Sequence, residues 1–393
     1  MVQWIIDNKE WFFSGAGVFI ISLIIGLFIK KGKSGHRQYQ KSGDNSINYQ
    51  AGADSSTNLQ GQSIVIYQGI TYADAKKIAL DVYKSNFIEL SQDAAKLATE
   101  RAEEITDKFL EKLNKGNKAA ISSMNQPGMQ IALYNAQKAY VATGDKDLES
   151  LLVNILVERA AEDKRTIKQI TLDESLNVAL KLTAEQFDAL TVNFLISRTR
   201  HTVLVNLKSL RNYLENYLFP FIGSLTFESS CYEHLEYAGC GSVMEAIVID
   251  DIEHMYRERY PGLFIKGFTA DEFKKQVGEI HDFQFILMEC LHDPGKLQLN
   301  IMDKEVLTKR VKEKGLPEDA ETKLIAIFER YRMTDQEVKD KIIELFPDIR
   351  KLFELWSQTK ICKFTLTTVG IAIAQANLRR KQNITLDLSI WVK

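Results

Sequence analysis

Nineteen consecutive residues without a charge, Trp11 to Ile29 (WFFSGAGVFIISLIIGLFI), constrain this chain more than any other feature. A run of that length spans a bilayer as one helix, since about 20 residues cross about 30 Å of hydrocarbon. Its flanks set a direction. Asp7, Lys9 and Glu10 precede it, whereas Lys30, Lys31, Lys33, His36 and Arg37 follow, and an excess of Lys and Arg belongs on the cytoplasmic side. The expectation is a single-pass anchor in the cell inner membrane, N-terminus outward, with the lipid bilayer as partner and the bulk of the chain in the cytoplasm. A cleaved signal peptide would place its basic residues before the apolar run and a small-residue cleavage site after it. A core helix of this length would show a polar face. The run has neither pattern.

The remainder has the composition of a globular protein of two or more domains, because 45% of the chain is hydrophobic and 26% charged. With a formal charge of -2, the whole chain carries no general attraction for nucleic acid, which is not expected as a partner. Four scattered cysteines form no disulfide framework and fit a reducing compartment.

Beside the apolar run stand two and a half copies of a decapeptide: QKSGDNSINY from Gln40, QAGADSSTNL from Gln50 and QGQSIVIYQG from Gln60. Gln40 aligns with Gln50, Asn48 with Asn58, and Tyr49 with Leu59, while Ile64 and Ile66 fall in the third copy. Turn residues alternating with one apolar residue per copy point to small strands stacked as a β-solenoid or prism. So short a stack buries too little surface alone, so Gln40, Asn48, Tyr49, Gln50, Asn58, Leu59, Ile64 and Ile66 are read as oligomerisation residues. A flexible Ser/Gly/Asn linker is the plainer reading.

Thr71 with Asp74 opens a helical pattern free of Gly and Pro up to Asn114, with Gly116 as its stop. The expectation is one stalk helix over 71–116, about 60 Å long at 1.5 Å per residue. Its apolar stripe (Leu80, Tyr83, Phe87, Leu90, Ala94, Leu97) shifts by one position beyond Ala98, so a sustained coiled coil is not established. Helices follow at about 128–143, 145–165, 173–181, 183–201 and 203–217, a helical body over 127–220.

From 221 to 393 an α+β domain is expected. Capping boxes at Thr269/Glu272 and Thr334/Glu337 start helices at about 270–292 and 335–345. Leu297 to Met302 and Ile384 to Val392 alternate as strands. Phe364 to Gly370 and the helix that follows read as a strand, turn and helix ending in Arg379, Arg380 and Lys381. That order is compatible with part of a winged-helix domain, although basic residues at a helix end also favour the helix dipole without nucleic acid. Cys231, His234 and Cys240 form the most metal-like spacing, yet a tetrahedral zinc site needs about four ligands and they are not a standard knuckle. Asp250, Glu253 and His254 are the acid–base candidates, with Asp250 and His254 at i, i+4 on a presumed helix. Solvated helix polarity and buried thiols account for both sets without chemistry. No phosphate loop, nucleophile elbow or H-E-x-x-H occurs, so no cofactor is expected and an enzyme is the lesser reading.

LLVNILVERA (151–160), KLTAEQFDAL (181–190), FTLTTVGIAIAQAN (364–377) and DLSIW (387–391), in that order, resemble a poorly characterised group of bacterial proteins with an N-terminal membrane helix, Asn/Gln/Gly repeats and a helical body. More distantly they resemble the Abi-alpha type of phage abortive-infection protein. The resemblance implies a role in anti-phage defence or stress response, with a phage-derived or host protein as trigger, and supplies no catalytic residue. The expected arrangement is thus mainly α: anchor and basic flank (1–37), β-repeat (38–70), stalk (71–116), helical body (127–220) and C-terminal α+β domain (221–393). Its expected function is that of a membrane-anchored, self-associating interaction protein; a metal-dependent hydrolase and a tethered nucleic-acid binder are the alternatives.

Overall fold

The computed structural model describes residues 70–86, 90–244, 250–316 and 318–393. The apolar run and the decapeptide repeats lie outside the described residues. Among the described residues no helix is long and apolar enough to cross a membrane, which corrects the transmembrane assignment to a helical body.

The expected stalk is two helices. Helix α1 (Tyr72–Asn86) begins with Thr71, whose hydroxyl accepts from the Asp74 amide at 3.2 Å while the Asp74 carboxylate accepts from the Thr71 amide at 3.1 Å. Ser91, with extended φ and ψ of -58° and 154°, starts α2 (Gln92–Gly116). The two run antiparallel, because Lys76 lies 2.7 Å from Asp107 and the Tyr83 hydroxyl donates to the Ala98 carbonyl at 3.5 Å. A straight stalk would leave its apolar stripe in water; folding back buries Ala75, Ala79 and Tyr83 together with Ala98, Ala102, Ile105 and Phe109. The stripe shift beyond Ala98 is the signature of this second helix, and Leu90 and Leu97 accordingly stay exposed.

Helices α3 (Pro127–Thr143), α4 (Lys146–Ala160), α5 (Ile167–Ala179) and α6 (Ala184–Arg198) complete the first layer. Their bounds are set by local chemistry. Gly144 ends α3 at φ +66°, Asp145 caps α4, Thr166 caps α5, and Thr183 forms a reciprocal box with Gln186 at the start of α6. Next come α7 (Leu207–Tyr213), which passes through a π-turn into α8 (Phe219–Ile222), then α9 (Ser229–Tyr237), strand β1 (Gly241–Val243) and α10 (Ile252–Arg259).

A small lobe with its own core, including Phe268, Phe273, Leu299, Leu324 and Phe328, follows. It holds α11 (Ala270–Gln276), the antiparallel strands β2 (Leu287–Glu289) and β3 (Leu297–Leu299), α12 (Lys304–Glu313) and α13 (Glu318–Arg330). The helix expected to reach residue 292 stops at Gln276, two residues before Gly278, whose φ of +155° no helix accommodates. The chain then rejoins the main core through α14 (Asp335–Leu345), α15 (Arg350–Gln358), β4 (Phe364–Leu366) and α16 (Thr368–Gln382).

The last helix lies at the centre. Every residue from Gly370 to Leu378 is buried, and α16 packs most extensively on α6, then on α4 and α5. Its alanines let neighbours approach, and an all-round buried surface is what a central core helix requires. Buried amides complete the packing: Asn193 donates to the carbonyls of Ile361 and Phe364 at 3.0 and 2.9 Å, and Asn377 donates to Asp188 at 3.0 Å. Asp188 also accepts from Ser224 at 2.5 Å and from Lys381 at 2.6 Å.

In the C-terminal part, the strand expected at Leu297 to Met302 is present as Leu297 to Leu299, and the one expected at Ile384 to Val392 is corrected. Leu297 to Leu299 pairs with Leu287 to Glu289, and β4 pairs with β1 in the register Gly241 to Leu366. Ile384 to Val392 forms no strand; Asp387 accepts from the Ser389 amide at 2.9 Å and turns the run into a single 3-10 turn, Leu388–Ile390. Its alternation has another use, since Leu388 and Val392 fill the core and the Trp391 indole donates to the Arg198 carbonyl at 3.0 Å. The strand, turn and helix at Phe364 are present, but a helix buried on nine successive positions offers no face to a nucleic-acid groove.

Candidate functional site

The structure separates the acid–base candidates. Helix α10 starts after Asp251, so Asp250 precedes it and shares no helical face with His254; its carbonyl accepts from the Trp356 indole at 3.3 Å. Glu253 lies 3.4 Å from Lys339, and His254 Nδ1 lies 3.1 Å from Asp335, whose other oxygen meets Arg257 at 2.9 Å. These three contacts fasten α10 to α14.

The thiols are likewise structural. Gln186 donates to the Cys231 carbonyl at 3.0 Å, and its amide group lies 2.9 Å from His234 Nδ1. Burial pushes the Cys231 thiol up to about 11 and the Cys240 thiol up to about 12, so neither is a thiolate at neutral pH. Among the described residues no group of three or more His, Cys, Asp or Glu side chains is placed to hold a metal ion.

Positive charge does converge elsewhere. A groove of about 390 Å³ opens between α2 and the end of α16, with Lys108, Lys112, Lys115, Arg379 and Arg380 along its walls and Glu111 as its acid. Most of that charge is neutralised. Lys108 meets the fully buried Glu149 at 2.5 Å and Glu104 at 3.1 Å, Lys115 meets Glu111 at 2.5 Å, and Arg380 pairs with Asp147. Lys381, third of the basic residues singled out from the sequence, points away to Asp188 and the Pro220 carbonyl.

Lys112 and Arg379 remain. The Lys112 ammonium donates to Asn154 Oδ1, and Asn154 is buried with its amide nitrogen held by the Ala376 carbonyl at 3.0 Å. Neither cation forms a salt bridge with a carboxylate among the described residues. Burial, and after it the Arg379 charge, lower the Lys112 pKa. Glu158, the carboxylate influenced by Arg379, is engaged by Lys168 at 3.6 Å. A larger cleft of about 540 Å³ beside α3 and α4 has no comparable excess, because its Arg159 is bound by Asp173 at 2.6 Å.

Arg379 stood among the sequence candidates, whereas Lys112 and Asn154 did not. Lys108, Lys112 and Lys115 recur at 4,3 spacing, which places them along one helix face. That lysine row was the available signal.

Fold and groove together define a mainly α-helical protein with few, short strands among the described residues and a partly uncompensated basic groove. A family model whose description reads only ":-like", naming no activity, substrate or partner, matches residues 69–392, and the chain belongs to that poorly characterised family. No curated protein and no solved structure matches it.

Proposed function

We propose that this chain is a self-associating, non-enzymatic interaction protein acting in bacterial anti-phage defence or the stress response. The carrying observation is that the acid and base groups singled out by sequence are engaged in packing contacts, His254 with Asp335, Glu253 with Lys339 and His234 with Gln186, while burial raises the Cys231 thiol out of the thiolate range. The defence setting rests on the resemblance of its leucine-rich helix and FTLTTVG segment to Abi-alpha proteins. Self-association rests on the in-register Gln40, Gln50 and Gln60 repeats. The family match begins at residue 69, at the end of the third repeat, which supports an assembly segment that precedes the family's own region. Confining bodies to one assembly raises their effective concentration, so that weak contacts with a phage-derived or host protein act together. Deleting Gln40 to Gly69 should convert the oligomer to a monomer in sedimentation velocity. An oligomer of unchanged mass would refute the assignment.

A further inference from the structure

We propose that the groove between Lys112 and Arg379 binds the phosphate group of a small phosphate monoester. This inference is independent of self-association and rests on local geometry. Four of the six charged groups around the groove are matched within the protein: Lys108 by Glu149, Lys115 by Glu111, and Arg380 by Asp147 outside it. The two cations left over line the groove together with the buried Asn154, which is fixed by Ala376 and orients its oxygen toward Lys112. An excess of two positive charges suits a dianion, and a phosphate monoester carries close to two negative charges at neutral pH.

Donor chemistry agrees. An ammonium and a guanidinium fork supply charge-assisted hydrogen bonds to phosphate oxygens, and the Ser150 hydroxyl and Asn383 amide line the same groove. Its volume of about 390 Å³ falls in the range of small-molecule sites, about 300–1,000 Å³. A nucleic-acid strand is a poorer occupant, since no lining residue is aromatic and unspecific strand binding relies on stacking platforms.

The test is calorimetric titration of the full chain with inorganic phosphate, against chloride at matched ionic strength, together with the thermal midpoint. Wild type should bind saturably at one site per chain and melt higher with phosphate. Arg379→Gln, which removes a half-exposed side chain without an ion pair, should bind about tenfold more weakly or worse, the loss of one charge-assisted contact. Lys112→Met should do the same, and Lys115→Gln, at the neutralised rim, should bind within about threefold of wild type. The proposal falls if wild type shows no saturable binding, or if both Arg379→Gln and Lys112→Met retain wild-type affinity. It also falls if a single-stranded oligonucleotide competes with an affinity that grows with its length, which would assign the groove to nucleic acid.

Discussion

Replacing Gly370 by alanine probes the closest backbone approach at the head of the central helix. Gly370 is the third residue of α16, and its amide donates to the Thr367 cap at 3.2 Å while the Thr367 amide donates to the Cys240 carbonyl at 3.0 Å. A Cβ at position 370 would fall 2.0 Å from the Cys240 oxygen and 3.3 Å from Leu366 Cδ2. Relief demands more than 1 Å of separation between α16 and the start of β1, and Gly241 is held opposite Leu366 by the strand pairing. Overpacking of this kind costs about 1–3 kcal/mol, with backbone as the obstacle placing it at the upper end. The helix propensity of alanine offsets at most about 1 kcal/mol. A net loss of about 2 kcal/mol lowers a urea midpoint by roughly 0.7–1 M for a slope of about 2–3 kcal/mol/M. Gly116→Ala is the control, since no atom lies within 4 Å of the added methyl, and its midpoint should not fall. A Gly370→Ala protein that unfolds at or above the wild-type midpoint would refute the close-approach argument.

Asp188→Ala removes the carboxylate that Asn377, Ser224 and Lys381 share and should cost about 3 kcal/mol or more by urea unfolding; a change below about 1 kcal/mol would show that the buried acid is dispensable. Hydrogen bonds from Lys146 and then Tyr140 hold Glu104 down to about 2 from an ordinary 4.5. Because the folded value is the lower one, this contribution is complete above the ordinary carboxylate range and disappears as pH falls from about 4.5 to about 2. Urea midpoints at about pH 6 and about pH 2.5 should therefore differ less in Lys146→Met than in wild type, by an amount that salt shrinks; equal differences would discount the pairing. With Cys240, Cys290 and Cys362 buried and Cys231 half-buried, the native chain should react slowly with a thiol-specific disulfide reagent near neutral pH and expose four equivalents in denaturant. A fast equivalent in the native protein would contradict the burial of these thiols.

Local structure was legible where one side chain and its neighbour three residues on decide it. The boxes at Thr71, Thr183, Thr269 and Thr334 all form, and α14 spans the residues its box announced. The division of the stalk into α1 and α2 was not legible, because neither Gly nor Pro marks it and burial of two apolar stripes against each other drives it. Alternation at Ile384 to Val392 was legible as extended chain but not as unpaired chain, since Asp387 and its turn intervene. For the groove, Arg379 and Lys112 come from helices far apart in sequence, and they are brought together through Asn154 of α4, which accepts from Lys112 of α2 and donates to the Ala376 carbonyl of α16 across 222 positions. Patterns within one window carry no information on such a pair.

The central position of α16 also bears on biosynthesis. Asp147 finds Arg380 across 233 positions, so at about 5–20 residues per second a ribosome needs roughly 12–47 s to deliver the partner. During that interval α4, α5 and α6 present the apolar walls of an empty slot. The fold therefore closes from its middle only once α16 has been made, and a chain cut short before residue 368 displays that slot instead of concealing it. Presence of α16 is thus a condition for covering the apolar walls of α4, α5 and α6, and products that lack it offer to chaperones and proteases the same surface that secures the folded body.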